Sequence, residues 1–213
     1  MEDSIDHSLT LALNRAAEFE RALVNCFSGW SLPSSPTVGR PELCLTTLQL
    51  SQEHSTALKL NLSENLPNSA AAMLRLQLES LIRAAWIRYC ASDEQVAVML
   101  QPISESAERK ANKLPPPQMM LKSMRGEAPV GLLQPLDDLC TAIKDPLNSF
   151  VHSGLHPIRR SMTGFPLNLQ LLLVRQSNEL MHHAFRLTAV LRGSQKVMDE
   201  VTLLHIEFKD CLM

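Results

Sequence analysis

Apolar residues recur along this chain at three- and four-residue steps, the spacing that gathers side chains onto one face of an α-helix. Leu9, Leu13, Ala16, Phe19, Leu23 and Phe27 form the first such stripe and predict a helix over residues 4–27. The pattern breaks across Leu32-Pro33-Ser34-Ser35-Pro36-Thr37-Val38-Gly39-Arg40-Pro41, because prolines remove backbone donors and restrict the residues ahead of them. It resumes over 42–60, pauses at Asn65-Leu66-Pro67-Asn68-Ser69, and is strongest over 69–90, where Leu74, Leu78, Leu81, Ile82, Ala85 and Trp86 share the apolar side. Short helical stretches follow at 94–100, 104–113 and 118–124, with Leu114-Pro115-Pro116-Pro117 forcing a break between the last two. Three longer segments close the chain. The first, 136–152, carries Pro146 and a predicted kink, with Gly154 and Pro157 as stop signals; the second, 167–191, is opened by Pro166 and ended by Gly193; the third is 195–210. The pattern predicts an all-α protein, one bundle of about six to eight helices over residues 1–213.

Composition narrows the class. Hydrophobic residues make up 45% and charged ones 20%, ordinary for a globular chain, whereas aromatics are only 4%, so the core must be built from Leu, Ala, Val and Met. That suits packed helices better than a sheet. A formal charge of -2 excludes a generally basic coat for nucleic acid. Charge is unevenly placed, however. Residues 1–70 hold eight acids and four bases, while 142–192 hold six bases, two acids and four histidines. Cys26, Cys44, Cys90, Cys140 and Cys211 are odd in number and form no CxxC pair, which predicts reduced thiols rather than a disulfide framework or a zinc ribbon. The acidic start, Met-Glu-Asp-Ser-Ile-Asp-His, does not read as a secretory leader, and no apolar run approaches the roughly 18 residues of a membrane span. The expected location is cytoplasmic, with no membrane partner.

Phosphate-cradling GxxxxGK[ST], dinucleotide GxGxxG and HExxH motifs are all missing, which argues against a nucleotide-driven motor or a zinc protease. One Tyr and two Trp are too few for a base-stacking platform. Chemistry concentrates instead in Leu147-Asn148-Ser149-Phe150-Val151-His152-Ser153-Gly154, followed by His156 and Arg159-Arg160. Asn148 and His152 stand four apart, on one helix face, beside fixed positive charge. Arg75, Glu79 and Arg83 form a second stripe at four-residue steps. A plainer reading stays open for both groups: the three charges satisfy one another, and Asn148 with His152 caps a helix. His182-His183, with Glu179 three and four residues before, invites a metal reading. Adjacent helical residues diverge by about 100°, and no second Glu-x-x-His helix is present, so a core-edge role is the expectation and neither metal nor cofactor is assigned.

Two stretches together, SAAAMLRLQLESLIRAAWIRYCASDEQV over 69–96 and LNSFVHSGLHPIRR over 147–160, resemble an uncharacterised family of bacterial helical proteins that looks like a divergent branch of the HEPN superfamily. They cover about one fifth of the chain. The resemblance implies a helical bundle, frequent dimerisation, and RNA cleavage within toxin pairs or antiviral defence. HEPN ribonucleases usually carry an arginine, then a polar residue, ahead of a histidine on one helix. Asn148 and His152 match the polar residue and the histidine; Leu147 stands where the arginine is expected. On this resemblance His152 is the metal-independent acid or base, Asn148 orients phosphate or His152, and Arg83, Arg159 or Arg160 supplies the fixed charge. His156 would add to the binding surface, and Glu79 would hold Arg83 or Arg75. Cleavage and binding without cleavage both stay open. The alternative is a non-catalytic interaction or scaffold protein, assembling with itself or a protein partner, with Met73, Met99, Met119, Met120 and Met124 as adaptable contacts.

Overall fold

A computed structural model describes residues 6–30 and 39–213, leaving aside the side chains of Lys144 and Asp145. The helix start expected at residue 4 and most of the Pro/Ser segment fall outside the described residues. Among those residues there are ten α-helices, a closing 3-10 turn and no strand, so the all-α expectation holds while the helix number exceeds six to eight. In chain order they are α1 (His7–Asn25), α2 (Arg40–Ser63), α3 (Pro67–Tyr89), α4 (Asp93–Met99), α5 (Glu105–Ala111), α6 (Pro117–Ser123), α7 (Val130–Val151), α8 (Leu155–Thr163), α9 (Leu167–Arg192) and α10 (Gln195–Glu207). The 3-10 turn is Lys209–Cys211.

Local chemistry sets most boundaries. The Asp6 carboxylate accepts the Ser8 N–H (2.8 Å) at the start of α1, and the Ser92 hydroxyl with the Gln95 side chain closes a reciprocal cap at α4. Gly193 ends α9 at φ +69°, a left-handed position that costs glycine little. At the end of α3, Arg40 donates to the Ile87 and Ala91 carbonyls (2.7 Å each) and to Asp93 (2.7 Å). Carbonyls that the helix leaves without partners are thereby satisfied from α2.

Two boundaries differ from the sequence expectation. Helix α7 begins at Val130 rather than 136 and runs straight through Pro135. Proline at 135 cannot donate to the Gly131 carbonyl four residues back, but Arg186 on α9 donates there instead (3.0 Å). The second difference is α8. Gly154 and Pro157 do stop α7, yet they also open a further helix: Gly154 is its N-cap, and Pro157 lies in the first turn, where a missing N–H costs nothing.

Helix α3 is the centre. It packs on α2, α7 and α9, burying Ala70, Leu74, Leu78, Leu81, Ile82, Ala85 and Trp86 as the apolar spacing predicts. A smaller apolar cluster of Phe19, Leu23, Met181, Phe185, Val201 and Phe208 joins α1, α9 and α10. Of the five methionines expected to serve an interface, Met120 and Met124 are buried and Met73 and Met99 pack against the core; Met119 alone of the five is exposed. Packing consumed the other four because each falls at an inward-facing position.

A chain of polar groups crosses the core. Lys59 donates to Ser55 (3.0 Å), Ser55 to Ser177 (2.9 Å) and Ser177 to the Gln77 amide oxygen (2.8 Å), while Gln77 Nε2 returns a bond to the Ser177 carbonyl (2.9 Å). Glu20 pairs with Lys59, whose pKa burial pulls down and Glu20 pushes back up. Each buried group thus has a partner, which keeps the polar cost of α2, α3 and α9 meeting here small.

Candidate functional site

The stretch 147–160 folds into a tight corner between α7 and α8. His152 caps α7, its N–H bonded to the Asn148 carbonyl (3.2 Å), and Ser153 turns the chain in a left-handed conformation at φ +52°. The Ser149 hydroxyl accepts the His156 N–H (3.0 Å), capping α8 from the preceding helix. Residue 154 favours glycine: a Cβ there would stand 2.7 Å from Ser149 Oγ and displace that hydroxyl. Behind the corner Phe150 stacks on the His156 ring and meets Phe165 (centroids 6.0 Å each), and Asn68 of α3 donates to Ser161 (3.2 Å).

This geometry brings Asn148, His152, His156, Arg159 and Arg160 to one corner, all exposed except the half-buried Arg160, which lies 5.9 Å over the Phe165 ring. No hydrogen bond joins the Asn148 and His152 side chains among the described residues; what links the two is the backbone cap. Leu147 faces the opposite way, 5% exposed and within the core. The position where an arginine was expected points inward, so a fixed charge could not act from it.

The α3 stripe stands apart. Glu79 pairs with Arg75 (2.5 Å), the one of its two candidate partners that the structure selects. Arg83 makes no hydrogen bond or ion pair among the described residues. It lies fifteen residues beyond Asn68, which bonds Ser161 of α8, or about 22 Å of helix. Among the described residues no hydrogen bond or ion pair joins Arg83 to His152, and the fixed charge on the corner's own segment comes from Arg159 and Arg160.

A second cluster assembles where the sequence reading expected only a core edge. Helix α9 presents Glu179, His182 and His183, and α10 folds back along it after Gly193 to add His205. Glu179 Oε1 lies 3.3 Å from His205 Nε2 and 3.5 Å from His183 Nε2. His182 and His205 rings are 4.7 Å apart. His182 and His183 are each 3% exposed. Burial drives the His182 pKa down to about 3, aided by the neighbouring imidazoles and Arg186; burial and then Arg186 lower His183 to about 4. Both rings are held neutral. His205 escaped the sequence reading because its partners are local to another helix, although one signal existed: His182 is eleven residues before Gly193 and His205 twelve after, the near-mirror spacing that a helical hairpin pairs.

Clefts also lie away from both clusters. One of about 600 Å³ runs between α1, α9 and the closing turn, but its Arg15 is already committed to Glu18 (2.9 Å) and Asp210 (3.0 Å). No helix is long and apolar enough among the described residues to cross a membrane.

Residues 48–213 match the family of unknown function DUF6988, most of the chain and both stretches singled out from the sequence. The chain belongs to the DUF6988 family. No curated protein and no solved structure matches it. Membership therefore groups the α3 and α7–α8 segments within one family unit without attaching an activity to them.

Proposed function

We propose that this DUF6988 protein is a HEPN-like, cytoplasmic component of a bacterial defence or toxin-type system that binds RNA at the α7–α8 corner. The observation that carries the reading is a run of 33 residues, 146–178, without a single acid, folded so that His152, His156 and Arg159 all reach solvent together. A surface with cations and hydrogen-bonding imidazoles, and no acid of its own segment to neutralise them, favours phosphate. Binding is better supported than cleavage. His152 has an exposed ring suited to proton transfer, but position 147 cannot lend it charge, and no ion pair or hydrogen bond ties Arg83 to it among the described residues.

A second reading rests on its own observation. Leu155, Ile158 and Met162, at three- and four-residue steps on α8, are 71%, 54% and 73% exposed and lie beside Arg159. Such a stripe supports docking of a protein partner or a second copy of the chain. Anisotropy of a labelled single-stranded RNA at low and physiological salt, with a parallel cleavage assay in excess chelator, separates the readings. The RNA reading expects salt-sensitive binding by wild type, weakened in Arg159→Ala/Arg160→Ala; any cleavage should vanish in His152→Ala. Absence of binding at low salt would overturn it in favour of the partner surface.

A further inference from the structure

We propose that Glu179, His182 and His205 form a binding site for a divalent transition-metal ion of the zinc class, at the seam of α9 and α10. One ligand atom from each of the three lies within 4.8 Å of the others, close enough for a single ion to draw them in. Two imidazoles and a carboxylate are a donor set that zinc accepts, with a further position left for solvent or a bound molecule.

Glu179 Oε1 and His205 Nε2 meet at 3.3 Å, but other atoms of the cluster are idle. Glu179 Oε2 and His182 Nδ1 are buried without a hydrogen-bond partner, as are both ring nitrogens of His183. A core that leaves so many polar atoms idle is unusual, since each costs free energy unless a partner satisfies it. His182 Nε2 lies 3.1 Å from the Val201 carbonyl and donates to it, leaving Nδ1 as the lone-pair nitrogen. An outer hydrogen bond of this kind holds a metal-ligating ring in place. His183 stands beside the triad, near the same Glu179 oxygen that meets His205. Arg186 opposes the ion by its charge, but its guanidinium is tied to the Gly131 carbonyl.

Access is provided. A cleft of about 440 Å³ reaches Glu179, His183 and His205 from the side of α7, between Asp138, Leu139 and Gln176. His205 is the half-exposed ligand at its edge, so an ion enters without unfolding α9. Metal binding would pin α10 to α9 by a bond that neither helix makes alone.

The test uses full-length, tag-free protein stripped with chelator and dialysed. Zn2+ is titrated by calorimetry and Co2+ by visible absorption, for wild type, His205→Ala and Glu179→Gln. Expected are one ion per chain, a tetrahedral-type Co2+ spectrum, and a loss of affinity of at least about tenfold in each variant. His205→Ala removes a half-exposed side chain, and helical circular dichroism checks that it remains folded. Wild type that takes up neither ion, or variants that bind within tenfold of wild type, would overturn the site.

Discussion

Two pairs of histidines divide this molecule. His152 and His156 stand exposed at the α7–α8 corner, in the stretch whose sequence looks most like a motif. His182 and His183 are buried on α9, a helix whose sequence looks like ordinary core. The corner is organised by bonds between near neighbours: Asn148 to His152, Ser149 to His156, Ser149 to Gly154. The α9 pair is organised by helices remote in sequence, through Val201 and His205 of α10 and Arg186 with its tie to α7. A conspicuous local pattern can therefore mark a turn, while the most perturbed groups arise where tertiary packing strips water from ordinary residues.

Substitutions should separate the two pairs sharply. His182→Ala opens a cavity and removes the side-chain bond to the Val201 carbonyl, and is expected to cost about 2–4 kcal/mol in chemical denaturation; His152→Ala should stay within about 0.5 kcal/mol. Equal losses would erase the contrast. Acid should act on the buried pair next. Folded His182 and His183 titrate near 3 and 4, below the roughly 6.5 of an unfolded imidazole. Below that pH the unfolded chain takes up protons that the folded chain refuses, so their contribution is full above about 6.5 and drains as pH falls towards 4 and then 3. Urea midpoints in chelator should fall across this window; a flat profile would mean that the rings are not buried neutral.

At the corner the effects are smaller. Gly154→Ala forces Ser149 off His156 and should cost about 1 kcal/mol, the value of a lost cap, read as a drop in melting temperature. Smallest in stability is Arg159→Ala/Arg160→Ala, expected within about 0.5 kcal/mol, yet it should lower the salt slope of RNA binding by roughly 1.4 if both contact phosphate. An unchanged slope would remove the pair from the binding surface.

Much of the fold was legible. The apolar spacing of Leu74, Leu78, Leu81, Ile82, Ala85 and Trp86 marks the face that α3 buries, and Gly193 marks the end of α9. Reading failed where a distant residue altered a local rule. The helix expected from 136 starts at Val130 and passes through Pro135, with Arg186 taking over the Gly131 carbonyl. Gly154 and Pro157 terminate one helix while starting another, a double use that stop signals alone do not express. Of the candidate site, the cluster 148–160 was legible because its members are close in sequence. For Arg83, four-residue spacing fixes a face of α3 but says nothing about which end another helix meets.

Sequence pattern alone thus established the helical class, the segments that carry the core and the corner's cationic, acid-free composition, since these depend on period and composition. Tertiary structure decided that Leu147 points inward, that Glu79 holds Arg75 rather than Arg83, and that His205 closes on Glu179 and His182. Those outcomes depend on which helices meet and in what register, and a 3.6-residue repeat contains no information about the helix on the other side.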